Sequence, residues 1–292
     1  MSLGPNTELK TKILITGANT GIGYETCLAL LRSQIPYTIF LGSNSRINAE
    51  NAIKKLHEQI NVDQSRSGSD SEVIPVVVDL ESDESISACY EEVKSRTDKL
   101  DVLVNNAEIN GMCRSSVGWH WTKNGMSQRE IFNRTFNINV TGTHVMTQTF
   151  IPLLFNSTNP RILFLTSGSA SLTRTEDTSF SLNKSPGPGW PKEEDGEGGY
   201  LSYKSSKLAL NMIMRDWIRL LRNDDKFKVW SINPGTVLTG LGGDKEQLKK
   251  WNAKSPETSG IFIRNVIEGK RDDQVGKSIS PPGAPSGDIL PW

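Results

Sequence analysis

Tyr203 and Lys207 lie within the stretch Tyr203-Lys-Ser-Ser-Lys207, at the head of a segment whose apolar residues recur with helical spacing. A four-residue separation puts both side chains on one helical face, within interaction range. A phenol ionises only near pH 10, so by itself it is a poor acid–base group at neutrality. A close ammonium stabilises the phenolate and brings the phenol towards useful proton transfer. Such pairs also arise on ordinary solvated helices, so the context must decide. Just upstream, Arg161-Ile-Leu-Phe-Leu-Thr166-Ser167-Gly168 reads as a buried strand ending in hydroxyls.

Near the start of the chain, Lys12-Ile-Leu-Ile-Thr-Gly17-Ala-Asn-Thr-Gly21-Ile-Gly23 runs out of a strand and into a helix. Here Gly17 permits a tight turn, Gly21 admits a pyrophosphate close to the backbone, and Gly23 lets the helix pack against the sheet. The amides and positive dipole at that helix start favour phosphate. A glycine triplet alone is weak, but its place at the first strand–helix junction strengthens the reading.

The elements that must position these residues alternate along the chain. Short runs that are apolar almost throughout occur at Lys12–Thr16, Tyr37–Gly42, Val73–Leu80, Val102–Asn105, Arg161–Ser167, Lys228–Asn233 and Val275–Ile279, as expected of strands buried on both faces. Patterns with helical spacing lie between them, such as Tyr24–Arg32, Glu50–Gln59, Asp83–Lys94 and Tyr203–Leu221. The expected fold is one α/β domain over residues 1–292: a doubly wound parallel sheet of about seven strands, with helices on both faces. Two long interruptions, Asn110–Gly125 and Leu172–Gly199, follow strands at their carboxyl ends and carry Trp119 and Trp190. Open α/β sheets bind ligands at that edge, so both loops are expected to wall a substrate site.

Composition narrows the function classes. The 292 residues carry 33 Lys and Arg against 33 Asp and Glu, and the basic residues are scattered. Neither nucleic acid nor an anionic membrane is expected as the main partner. Cys27, Cys89 and Cys113 form no CxxC pair, and the histidines share no motif, so reduced thiols and no metal site are expected. No apolar run approaches the roughly 20 residues that span a bilayer, and no apolar signal core precedes the first strand. A soluble, cytoplasmic protein is the expectation.

The spacing Thr16-Gly17-x-x-x-Gly21-x-Gly23 resembles the cofactor fingerprint of the short-chain dehydrogenase/reductase family. Further segments are similar to that family's landmarks, in the same order and beside the expected elements. They are Val78-Asp79-Leu80, Asn105-Asn106-Ala107, Asn139-Val-Thr-Gly142, the strand ending at Ser167, Tyr203-x-x-x-Lys207 and Asn233-Pro234-Gly235-Thr-Val-Leu-Thr239. The resemblance covers about residues 10 to 240 and implies a Rossmann-type fold, a nicotinamide cofactor and a catalytic group of Asn139, Ser167, Tyr203 and Lys207. Tyr203 would protonate the developing alkoxide, and Ser167 would hydrogen-bond the same oxygen. Lys207 would hold the nicotinamide ribose and act on Tyr203, and Asn139 would position a water that resupplies the proton. The cofactor would lie along Gly17, Asn19, Thr20, Gly21, Ile22 and Gly23. Asp79 and Leu80 would meet the adenine, Asn106 and Ala107 would support the cofactor, and Pro234, Gly235, Val237 and Thr239 would close over the nicotinamide.

Cofactor choice is read at the end of the second strand, where NAD-preferring folds carry an acid. The run Ser43-Asn44-Ser45-Arg46 has no acid and one arginine, which suits the 2′-phosphate of NADP(H). The implied activity is reduction of a ketone or aldehyde, with a bulky, partly apolar secondary metabolite as the expected substrate class. Glu108 departs from the pattern, because the family segment reads Asn-Asn-Ala-Gly. Its carboxylate either points away into the following loop or contacts substrate as an additional acid–base group. Two alternatives therefore stay open. One is non-redox chemistry on the same cofactor and fold, a dehydration, isomerisation or cyclisation involving Glu108; the other is a cofactor-binding protein without turnover. The long interval between Ser167 and Tyr203 resembles monomeric carbonyl reductases of the family, so a monomer is expected.

Overall fold

The computed structural model describes residues 10–62, 70–110, 126–180, 183–185, 187–190, 201–242, 245–250, 252–284 and 286–292. Strand and helix alternate as β1 (Thr11–Ile15), α1 (Gly21–Leu31), β2 (Tyr37–Ser43), α2 (Arg46–Val62), β3 (Glu72–Val77), α3 (Asp83–Lys94) and β4 (Val102–Asn105). There follow α4 (Gln128–Phe136), a π-helical turn (Asn137–Gly142), α5 (Thr143–Phe155), β5 (Arg161–Leu165), α6 (Leu172–Thr175), α7 (Leu201–Leu220) and β6 (Lys228–Ile232). The chain ends with α8 (Lys245–Lys250), α9 (Pro256–Ile267), β7 (Ser278–Ile279) and β8 (Ile289–Leu290).

These strands form one eight-stranded sheet in the order β3-β2-β1-β4-β5-β6-β7-β8. All pairings are parallel except β7 with β8, which is antiparallel. The expectation of about seven strands falls short by β8. That strand is only two residues long, Ile289–Leu290, too short to leave a periodic pattern. The seventh strand also starts later than Val275, because Gly276 takes a φ of +80° and breaks the extended run.

Side chains alternate across the pleat and build a core on each face. Ile13, Ile15, Ile39 and Leu41 pack with residues of α1, α2 and α9, whereas Leu14, Phe40, Leu103 and Phe164 pack with α3, α5 and α7. Helices on both faces explain why β2, β4 and β5 are buried along their whole length. Cys27 and Cys89 are buried in these cores and unpaired. No described helix is long and apolar enough to cross a membrane.

Strand order reverses between β1 and β4, and ligands bind at such a switch point. The two strand exits are stitched together there. Thr16 Oγ1 accepts hydrogen bonds from the amides of Asn106 at 3.0 Å and Ala107 at 2.9 Å, and Asn106 Nδ2 donates to the Thr16 carbonyl at 2.7 Å. Across the sheet, β5 stops at Leu165 and β6 at Ile232. Thr166, Ser167 and Asn233 are thereby left at the carboxyl edge instead of inside the strands.

Candidate active site

The glycine-rich turn enters α1 with Gly17 at φ +63° and Gly21 at φ +57°. A Cβ on Gly17 would meet Ala107 Cα at 2.9 Å, and one on Gly23 would meet Asn106 Nδ2 at 2.6 Å and Ala18 Cα at 2.8 Å. Both glycines are thus demanded by the contact between β1 and β4 themselves. At Gly21 a side chain would meet only the Thr239 side chain, at 3.5 Å, so the segment after β6 lies opposite the turn. The N-cap of α1, Thr20, makes no side-chain cap bond, so no side chain competes with an anion for the first amides of the helix. This cradle fits the pyrophosphate of a dinucleotide.

After β3, Asp79 Oδ1 accepts from the Glu81 amide at 3.0 Å, and Ser85 Oγ accepts from the Asp79 amide at 2.9 Å. Ser43 is buried, and its hydroxyl accepts from the Ser45 amide at 3.3 Å. Arg46 is turned towards β3 and α3. Its guanidinium donates to the Pro75 carbonyl at 2.6 Å and to both Glu92 carboxylate oxygens at 3.0 and 3.1 Å.

The opposite end opens into a cavity of about 320 Å³, within the range typical of small-molecule sites. Ser167, Tyr203 and Glu108 line it together with Pro234, Gly235, Val237 and Thr239. Lys207 lies beneath, 1% exposed, and its ammonium donates to the Leu165 carbonyl at 2.8 Å. That ammonium also forms an ion pair with Glu108 Oε2, and the same oxygen accepts from the Tyr203 hydroxyl at 3.3 Å. Glu108 therefore turns into the site, not away into the loop. Ser167 Oγ lies 2.9 Å from Ser169 Oγ.

Asn139 sits in the π-helical turn, fully buried, and grips the exit of β4. Its Oδ1 accepts from the Ile109 amide at 2.9 Å, while Nδ2 donates to the Ile109 carbonyl at 2.9 Å and to Ser206 Oγ at 3.0 Å. Gly142, at the end of the same turn, lets it lie close to the exit of β3: a Cβ there would fall 2.1 Å from the Leu80 carbonyl oxygen.

Several contributors lie in segments singled out in the sequence but have no individual role there. Asn233 Oδ1 accepts from the amides of Gly168 at 3.0 Å and Gly235 at 3.2 Å, and its Nδ2 donates to Ser280 Oγ at 2.9 Å. One side chain thus ties together the exits of β5, β6 and β7. It opens the Asn233-Pro234-Gly235 landmark of the sequence, where its place at a strand end is the signal for this role. From the loop after β5, Arg174, Phe180 and Asn183 line the cavity. Arg174 donates to the Gly168 carbonyl at 3.0 Å and lies 4.4 Å from the Phe180 ring centroid. Burial lowers its guanidinium from the ordinary value, with Asp177 acting in the opposite direction. Asn110 also lines the cavity and donates to the Leu241 carbonyl at 3.1 Å. Trp190 is 73% exposed and is not among the cavity-lining residues. Trp119 lies outside the described residues.

A glycine-rich turn at the switch point, leading to a cavity lined by a serine and a phenol beside a buried ammonium, is the arrangement at the carboxyl edge of this α/β sheet. The family model for short chain dehydrogenase matches residues 11–185. The chain is 38% identical over 281 residues to the short-chain dehydrogenase/reductase eupG of a Phoma species, covering 94% of each chain. It is 37% identical over 271 residues to tropE, a short-chain dehydrogenase/reductase of Talaromyces stipitatus, covering 92% of this chain and 95% of the other. The protein belongs to the short-chain dehydrogenase/reductase family, whose chemistry interconverts CH–OH and C=O groups. Its fold superposes with a TM-score of 0.69 on an NADPH-bound carbonyl reductase from chicken fatty liver, at 20% identity and covering 97% of this chain and all of the other.

Proposed function

We propose that the protein reduces a ketone or aldehyde on a bulky, partly apolar secondary metabolite, with NADPH as the reductant and Tyr203 as the general acid. The observation that carries this reading is that Ser167 and Tyr203 line one cavity, with the buried Lys207 ammonium joined to it through the lining residue Glu108. Apolar groups from Phe180, Val237, Leu241 and Leu248 line the same space and suit a substrate with an extended apolar body.

Gly17, Gly21, Gly23 and the start of α1 would hold the pyrophosphate, with Asn19, Thr20 and Ile22 along its path. Asp79 and Leu80 would flank the adenine. Lys207 would hold the nicotinamide ribose, and Pro234 to Thr239 would cover the nicotinamide. When bound, the reduced cofactor supplies a hydride. The protein's part is to fix and protonate the carbonyl oxygen. Ser167 Oγ donates a hydrogen bond to that oxygen, strongest as negative charge builds on it. The Tyr203 hydroxyl gives up its proton to the same oxygen. Asn139 clamps the exit of β4, and so keeps the strand exits that flank the site in register. The absence of a carboxylate at Ser43, Asn44 and Ser45 supports the choice of NADPH.

The test is loss of reduced-nicotinamide absorbance with a panel of bulky ketones, aldehydes and quinones, with NADH as the control cofactor. Turnover with NADPH is expected, falling by at least about a hundredfold in Tyr203→Phe, since a positioned acid contributes roughly 10²–10⁴ in rate. Product formed without NADPH loss would move the assignment to non-redox chemistry on the same fold.

A further inference from the structure

We propose that Glu108 is a positioning residue of the proton-transfer group. Its carboxylate is the fixed counter-charge to Lys207 and the acceptor of the Tyr203 hydroxyl, and it keeps Tyr203 in its proton-giving form to higher pH than Lys207 alone would allow. The inference rests on the reading of Tyr203 as the acid and adds the control of its protonation.

The geometry is a three-membered cluster centred on one oxygen. Glu108 Oε2 pairs with the Lys207 ammonium and accepts from the Tyr203 hydroxyl at 3.3 Å. The side chains of Lys207 and Glu108 are only 2% and 11% exposed, so solvent screens their pair little, while Tyr203 is half-buried. A buried ammonium beside a phenol favours the phenolate, and a carboxylate beside the same phenol disfavours it. With glycine at position 108 the ammonium would act on Tyr203 without this carboxylate to oppose it. With Glu108 present the charges cancel over a few ångströms, and the phenol retains its proton.

The carboxylate is held there by its own backbone. On one side, the Ala107 amide donates to Thr16 Oγ1 at 2.9 Å. On the other, both the amide and the carbonyl of Ile109 are paired with the buried Asn139 side chain, each at 2.9 Å. Glu108 is thus clamped between two fixed neighbours. Among the described residues, few other charged or titratable groups line the cavity beside the cluster. Helix α7 brings Lys204 besides Tyr203 and Lys207, and α6 brings Arg174. The exit of β5 offers the hydroxyls of Thr166 and Ser167, and the segments from Asn233 to Thr239 and at Ala284 and Ser286 bring no titratable side chain. The π-helical turn contributes the neutral Asn139. Among the described residues lining the cavity, Glu108 is the single carboxylate.

The direct test is a ¹³C NMR titration of the full chain labelled at the tyrosine Cζ, without cofactor or substrate, the Tyr203 signal being assigned by its loss in Tyr203→Phe. Glu108→Gln and Glu108→Gly are each expected to lower the pH at which Tyr203 ionises by roughly one unit or more. Glu108→Asp should restore part of the wild-type value. Melting curves run beside the titration show which variants keep the fold, and either of the two neutral variants suffices. An unchanged or higher Tyr203 midpoint in a folded neutral variant overturns the proposal. The readout needs no turnover, so it stands apart from the search for a carbonyl substrate. Where turnover is measured, the alkaline limb of kcat/KM for reduction should move to lower pH in Glu108→Gln. A rise in KM with that limb unmoved would instead make Glu108 a substrate contact and overturn its positioning role.

Discussion

Arg46 follows the polar run Ser43-Asn44-Ser45 at the end of β2, and its guanidinium is engaged by Glu92 and the Pro75 carbonyl. The ion pair is partly open to solvent, with side chains 41% and 25% exposed, so breaking it costs about 1 kcal/mol or less. A 2′-phosphate offers a doubly charged partner in exchange, which a ribose hydroxyl does not. Arg46→Ala should therefore raise KM for NADPH by roughly tenfold, the size of one charge-assisted hydrogen bond, and leave KM for NADH nearly unchanged. Glu92→Gln should do the reverse, lowering KM for NADPH by releasing the guanidinium. Steady-state kinetics with both cofactors checks the pair, and equal effects on the two cofactors would remove Arg46 from 2′-phosphate recognition. The arginine and the missing acid are legible in the sequence because they sit in one short run. The competing Glu92 is not, since it comes from α3, 46 residues away.

At the scale of elements, Gly142 decides how closely the turn carrying Asn139 can approach the exit of β3. An alanine methyl there would overlap the Leu80 carbonyl, which is backbone and cannot rotate aside. Alanine's better helix propensity returns at most about 1 kcal/mol, less than the roughly 1–3 kcal/mol or more of overpacking. Gly142→Ala should lower Tm by roughly 5 °C and reduce kcat, because Asn139 and the β4 exit shift with it. Gly240→Ala, where a methyl meets nothing within 4 Å, should leave Tm within about 1–2 °C. The elements themselves are unevenly legible in the sequence. Helix α3 spans Asp83–Lys94, as its periodicity indicates, since Ser82 caps it, acids open it and Lys94 closes it, all within a few residues. The apolar runs of β1, β2 and β4 are equally plain. The strand ends are not: the Thr166 and Asn233 amides still donate to Ile232 and Ile279 of the neighbouring strands, and only at Gly168 does a side chain, that of Asn233, take over the bond. The π-helical turn has no local signature, because it is imposed by the contacts of Asn139 and Gly142 with distant backbone.

For the molecule as a whole, the two edges of the sheet divide the labour. The carboxyl edge holds the glycine-rich turn and the cavity, where polar side chains line an open space. The opposite edge is closed by charge. Arg161, at the start of β5, has a side chain 5% exposed, gives two hydrogen bonds to Asp272 at 2.6 and 2.9 Å, and donates to the Val266 carbonyl at the end of α9. Lys228, at the start of β6, adds a contact to the same carboxylate at 2.7 Å. The landmarks of the carboxyl edge are short motifs and can be read in order along the chain. The pairing of Glu108 with Lys207 or of Arg161 with Asp272 joins segments that only the folded sheet brings together. Burial acts to raise the Asp272 carboxyl, but the hydrogen bonds and charges of Arg161 and Lys228 outweigh it and hold the group below its ordinary value. A carboxyl lowered in the folded state stabilises the protein above its unfolded value, about 3.9, and that contribution is lost as pH falls through the folded value. Asp272→Asn removes it at neutral pH and leaves the buried Arg161 without its carboxylate. The cost should be roughly 2 kcal/mol, discounted from the roughly 3–5 kcal/mol of a fully buried pair because the Asp272 side chain is 32% exposed. Urea denaturation at pH 7 should show this loss, and the gap between wild type and Asp272→Asn should narrow as the pH is taken below about 4. The site lies at the other edge, so the folded variant should keep the wild-type kcat. A fall in kcat without a fall in stability would mean that the two edges are coupled through β5 and β6.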